Sequence, residues 1–217
     1  MSFLARPLPS LFDTRQRRQT GLADFAKEQG LQFSTDDPIG LVDRSLEIFR
    51  LSPYAQCANV VWGTWQGLAM ATADLRLGRG DQAYKGKTYS IAVVDLGAEA
   101  SLPEVMISRG KPPMEIRAMP PIEFESEQFN RSLQVRSKDR EFAFRFVDPQ
   151  MMGWLLSADP RFGFQAGGRK LLVHAHPLPP AGLIPLLGTT KGFHDHVPDL
   201  VLHGGEGAVP QPGVLET

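Results

Sequence analysis

A chain of 217 residues with 42% hydrophobic side chains is long enough to bury a substantial core, and it fits one domain with ragged ends better than two. Its 23 basic and 24 acidic side chains are scattered and leave a formal charge of −1, so no global field favours nucleic acid or an anionic membrane. The single cysteine, Cys57, excludes an intrachain disulfide. No N-terminal stretch has the apolar core of a signal peptide or the ~20 residues needed to cross a bilayer, so a cytoplasmic location is expected.

The opening MSFLARPLPSLF carries two prolines and no period, and predicts an extended arm. A helix follows, with Asp13 as its N-cap, Leu22, Phe25 and Ala26 as its apolar face, and Gly30 just past its end. Residues 1–30 thus read as arm and helix ahead of a domain over 31–202. Residues 31–35 predict a short strand. Residues 37–49 predict a second helix, with Pro38 in its first turn and Leu41, Leu46 and Phe49 facing inward.

From Cys57 onward the chain turns β-rich. Residues 57–63 and 67–77 read as antiparallel strands joined by a turn over 64–66, residues 78–87 as a glycine-bearing loop, and 88–96 and 103–108 as further strands. A sheet of at least four strands follows. Four prolines within residues 109–121 place that segment outside the sheet, because proline cannot donate to a central ladder.

Asp139 and Asp148 stand where N-caps belong, and Pro149 suits a first helical position. Phe142, Phe144 and Phe146 alternate as on a strand, yet Phe142, Ala143, Phe146 and Val147 share a helical face. The caps favour helices over 140–147 and 149–156. Residues 162–176 read as a hairpin turning at Gly167 and Gly168, a last helix falls within 180–196, and 203–217 has a disordered composition. The fold class is therefore α+β, an antiparallel β-rich sheet flanked by helices in a single domain.

The ordered set NVVWGTWQG with Asp74 after it, LPEVMIS, FESEQFNRSLQVRSKDREFAF and DPQMMGWLL, closed by a hairpin and a terminal helix, resembles a group of actinobacterial-type bacterial proteins of uncharacterised function. The shared marks reduce to NVxxG, FNRxxxV and PxMMxWLL, and the resemblance covers about residues 31–198. It implies a β-rich domain and supports a helix over 140–147. It implies no catalytic residue, substrate or cofactor. Some members carry transmembrane helices before this domain.

All five histidines lie between residues 174 and 203. On a strand His174 and His176 point to one face, a spacing that metal sites use, and His194, His196 or His203 would have to complete the set. The candidate metal ligands are therefore His174, His176, His194 and His196. Against them, the sequence continues HAHPLPP rather than His-x-His-x-Asp-His. Too little chain follows His176 for the rest of a barrel metallohydrolase, and residues 194 and 196 diverge on a helix.

Other candidates favour ordinary roles. Cys57 opens an apolar strand and reads as a buried small hydrophobe. Glu123, Glu125 and Glu127 read as a solvated face, and Arg15, Arg17 and Arg18 likewise. No phosphate loop, nucleophile elbow, Cys-x-x-Cys pair or dinucleotide fingerprint occurs. Trp62 and Trp65 bracket the predicted turn, which makes them the candidate ligand or partner surface.

The leading reading is a non-enzymatic domain without a cofactor that binds a protein partner or a small apolar ligand, with no nucleic acid expected. The alternatives are a metal-dependent hydrolase using the C-terminal histidines, and a peripheral membrane or envelope-associated factor working through the arm and residues 15–18.

Overall fold

The computed structural model describes residues 11–79, 82–109 and 119–202. The first ten of the twelve residues of the predicted arm, the 203–217 tail with His203, and most of the proline-rich connection lie outside them, while Leu11 and Phe12 open α1. Nine strands are present among the described residues: β1 (Gln32–Ser34), β2 (Ala55–Trp65), β3 (Leu68–Arg79), β4 (Gln82–Asp95), β5 (Leu102–Ser108), β6 (Pro121–Ile122), β7 (Gln134–Ser137), β8 (Gly163–Gly168) and β9 (Lys170–Ala175). They form one sheet in the order β1-β2-β3-β4-β9-β8-β5-β7-β6, antiparallel at every pairing. The helices are α1 (Leu11–Glu28), α2 (Glu47–Arg50), α3 (Glu127–Ser132), α4 (Arg140–Phe146), α5 (Pro149–Ser157), α6 (Leu183–Asp195) and α7 (Asp199–Leu202). The fold is α+β, as the sequence predicts. No helix among the described residues is long and apolar enough to cross a membrane.

Strand alternation sorts the side chains onto two unequal faces. One face carries Val61, Val94, Val105, Phe164 and Val173 and packs against Leu22 and Phe25 of α1, Phe142 and Phe146 of α4, Met151 of α5 and Phe193 of α6. Leu22, Phe25 and Ala26, the apolar face that the sequence predicts for this helix, are all buried there, so α1 packs into the core. The other face carries Ala71, Ala73, Leu75, Ile91, Val93 and Leu172, and is covered by Leu41, Leu46, Ile48 and Phe49 from the chain before β2.

That cover is where the second predicted helix fails. Leu41, Leu46 and Phe49 are buried as expected, but only the single turn α2 is helical. Local hydrogen bonds outcompete the helix: Asp37 Oδ2 accepts from Leu41 N at 2.7 Å, Asp43 Oδ1 accepts from Ser45 N at 2.9 Å, and the Arg44 guanidinium donates to the carbonyls of Phe49 and Ser52 at 2.6 and 2.9 Å. The sheet also grips this segment. Ile48 N donates to Gln165 Oε1 at 3.2 Å and Glu47 N to Glu104 Oε1 at 2.5 Å, while burial raises the Glu104 carboxyl above its ordinary range.

Other boundaries shift for identifiable reasons. The 78–87 stretch is mostly strand, because β3 runs to Arg79 and β4 starts at Gln82. Gly86 reads as loop from its type, yet a Cβ there would lie 2.0 Å from the Leu77 carbonyl oxygen, beside a register irregularity between Leu77 and Arg79. The glycine allows a close approach inside the sheet. The β2–β3 turn is Gln66 and Gly67, with φ of 47° and 82° at the two central residues, so Trp65 is a strand residue paired with Leu68. The later hairpin turns one residue beyond prediction, since Gly167 pairs with Lys170. Asp13 falls inside the first turn of α1 and is not its cap.

The predicted caps at residues 139 and 148 are present: Asp139 accepts from Phe142 N and Asp148 from Met151 N, both at 2.8 Å. Asn130 donates to the Phe124 carbonyl at 2.7 Å and accepts from Phe124 N at 3.0 Å, pinning the chain ahead of α3.

Candidate functional site

The covered face of the sheet is not covered completely. Trp62, Ala71, Val93 and Leu172 are cross-strand neighbours in one row over β2, β3, β4 and β9. The next row along holds Thr64, Ala69, Asp95 and Lys170. Ile39 and Leu41 reach over these rows from the cover and stop short, leaving a groove of about 360 Å³. Four strands at ~4.8 Å spacing make it about 14 Å long.

The groove exists because the floor is small and the walls are large. Ala69, Ala71 and Val93 fill little of the space between the sheet and the cover, Trp62 walls the β2 side half-buried, and Ile39 stands 46% exposed at the lip. The opposite end is charged. Lys170 Nζ lies 3.6 Å from Asp43, and Arg169 Nη2 donates to Asp95 Oδ2 at 2.7 Å. The hydrogen bond from Arg169 is the main cause of a lowered Asp95 carboxyl. Volume and lining fall at the lower end of the range of small-molecule sites, which combine an apolar body with a few fixed polar groups.

The two tryptophans do not form one surface. Residues three apart on a strand point to opposite faces, and Trp65 is buried on the helix-covered side at 9% exposure, its Nε1 donating to Gln29 Oε1 at 3.4 Å. Trp62 alone lines the groove.

The histidines are likewise divided. His174 and His176 both flank Tyr89 on the loop-covered face, His174 edge-on with ring centroids 5.9 Å apart and His176 stacked at 6.3 Å. The His174 ring lies over Gly163, where a Cβ would come within 2.5 Å of Nε2. Burial, with the His176 charge behind it, lowers His174 to about 4. His194 and His196 sit at the end of α6 on the opposite side of the sheet. His194 Nδ1 is 3.2 Å from Asp195 Oδ1, and His196 stacks on Trp154 at 5.2 Å with Nδ1 donating to the Gly192 carbonyl at 2.8 Å. The sheet therefore separates the four candidate ligands, and among the described residues no three His, Cys, Asp or Glu side chains are grouped to hold a metal ion.

Cys57 is buried, and desolvation, with the Asp37 charge adding to it, pushes its thiol up to about 12. Glu123, Glu125 and Glu127 are exposed. The arginine run is more than a solvated face, because Arg18 is committed inward. It donates through Nε to Asp74 Oδ2 at 2.6 Å, through Nη2 to Asp74 Oδ1, and through Nη1 to the Leu178 carbonyl at 2.7 Å. Asn59, at the β2 bulge with φ of 52°, donates to the same carboxylate at 2.8 Å. Sequence reasoning missed this polar knot. Its one signal is a lone acid at an inward position of the apolar strand GLAMATADLRL.

No protein-family model and no curated protein matches the chain. Among solved structures, the crystal structure of the mycobacterial trehalose monomycolate transport factor A, TtfA, superimposes with a TM-score of 0.59 and 15% sequence identity over 83% of this chain and 94% of that one. At that identity the likeness establishes a shared fold, and the chain is similar to TtfA in architecture.

Proposed function

We propose that this chain is a non-enzymatic binding domain whose ligand surface is the groove beside Trp62. The observation that carries the reading is the groove of about 360 Å³ beside Trp62, where the cover over the sheet stops at Ile39 and Leu41 and leaves Ala69 exposed on a face that is otherwise packed. Exposed apolar concavity of this size loses water favourably when a ligand fills it. The shared fold with a protein described as a transport factor agrees with a role that handles a molecule without transforming it. The resemblance to uncharacterised actinobacterial-type proteins belongs to the same proposal, as does a cytoplasmic location, which the buried lone thiol Cys57 supports.

The test is saturable binding of the uncharged dye N-phenylnaphthylamine, read by its fluorescence. Dye should bind the parent and not Ala69→Trp, which fills the groove from an exposed floor position and leaves the core intact. Equal binding by both proteins would remove the groove from the account.

A further inference from the structure

We infer that Arg136, with Gln134 and Ser108 beside it, forms a binding site for a single carboxylate group, on the loop-covered face of the sheet and apart from the groove.

Arg136 lies on β7 between its register partners, Met106 of β5 and Pro121 of β6. It is 7% exposed. Nη1 donates to the Met119 carbonyl, Nη2 donates to Gln134 Oε1 at 3.2 Å, and Nε is buried with no acceptor. Other arginines that leave water are compensated, Arg18 by Asp74 and Arg50 by Glu47 and Glu104. Arg109, whose Nε is also without an acceptor, gives Nη2 to carbonyls at the C-terminal end of α5, where the helix dipole is negative. Arg136 has only two neutral oxygens, and among the described residues no carboxylate pairs with it.

Glu104, diagonally across on β5, does not supply the missing charge. Its oxygens are taken by Glu47 N and the Arg50 guanidinium, and the charged groups that act on it are Arg50 and Glu47. A buried cation held by neutral acceptors alone is costly, and a bound ion accounts both for the charge and for the open N–H.

Geometry and charge select the ion. Nε–H and the neighbouring Nη2 hydrogen form a fork that fits the two oxygens of a planar carboxylate. One negative charge balances one guanidinium, whereas a phosphate carries more than one and brings the surplus into a buried site. The approach runs past Gln134, which is half-buried and holds Nη2 by a contact at the long end of the hydrogen-bond range. Its amide, turned over, donates to the same carboxylate. Ser108, the half-buried register partner of Gln134, offers a hydroxyl in that row. Met106, Met119 and Leu51 pack together on this part of the face, and the low local dielectric strengthens the pair.

The experiment follows the assigned Nε–Hε resonance of Arg136 in the full chain by NMR during a sodium acetate titration at pH 7, with sodium chloride as the ionic-strength control. The resonance should move saturably with acetate, half-saturating at about 1–10 mM, and should not follow chloride. At ten times the half-saturating concentration the parent should melt about 3–6 °C higher than in chloride. Inorganic phosphate should bind about tenfold more weakly than acetate, and Arg136→Lys, which keeps the charge and loses the fork, should weaken acetate by about tenfold or more. Gln134→Glu supplies the carboxylate from within the chain, so it should raise the melting temperature in chloride and abolish the acetate response. Triglycine, which ends in a peptide carboxylate, set against acetate, a free acid, reads which source the site favours, and tighter binding of either supports the inference. An Arg136 resonance that stays still or follows chloride equally overturns it. So does phosphate binding as tight as acetate, or a Gln134→Glu protein that binds acetate as the parent does.

Discussion

Arg18 and Asp74, 56 positions apart in the chain, meet in a two-pronged ion pair that fastens α1 to the third strand of the sheet. Asp74 is 5% exposed, so its charge depends on Arg18 and Asn59 for replacement of lost water. Arg18→Met strands the carboxylate and should cost about 2–3 kcal/mol, below the usual range for a buried pair because the Arg18 side chain is a quarter exposed and Asn59 still donates. The double change Arg18→Met with Asp74→Leu should recover part of that loss in urea denaturation, since it removes the buried charge along with its partner.

Gly163 and His174 test close packing on the loop-covered face. They are register partners on β8 and β9, and a methyl group on residue 163 would meet the imidazole at 2.5 Å. Gly163→Ala should destabilise by about 1–3 kcal/mol through overpacking. Combining it with His174→Ala should be less costly than the sum of the two single changes, and a double-mutant cycle reads the difference directly.

The same histidine sets a pH dependence. Its folded-state value, about 4, lies below the ordinary 6.5, so the unfolded chain binds the proton more readily between those values. Stability contributed by neutral His174 is therefore complete above the ordinary value and is lost as pH falls toward about 4. Between pH 7 and pH 5 the parent should lose about 2 kcal/mol more than His174→Phe does, measured by chemical denaturation at each pH.

Cys57 should be inert while the protein is folded. Burial and a thiol value of about 12 leave almost no thiolate at neutral pH. Alkylation by iodoacetamide at pH 8 should proceed only in denaturant, and rapid labelling of the native protein would contradict the packing described for β2.

Much of this fold is legible in short stretches of sequence, where one local rule acts alone. The caps at Asp139 and Asp148 are examples, since each needs only a carboxylate and the backbone three residues on. The failures come where distant parts of the chain decide. Residues 37–46 have the apolar spacing of a helix, but Asp37, Asp43 and Arg44 bind nearby backbone instead, and Gln165 and Glu104 hold the α2 turn from across the sheet. Trp62 and Trp65 look like one surface only while the strand is taken to end at Gly63; once it runs to Trp65, alternation alone puts them on opposite faces. The groove itself was beyond local reading. It depends on strands from residues 55 to 175 lying side by side, and on a cover segment ending at Ile39 and Leu41.

The most direct measurement of the central claim is a two-dimensional amide NMR titration of the full chain with N-phenylnaphthylamine. Saturable shifts should concentrate at Gly63, Thr64, Ala69, Ala71, Val93 and Lys170, with the amides of α6 and the His194 end unmoved. Shifts centred instead on the helix-covered face, or none at a dye concentration that saturates other apolar sites, would contradict it.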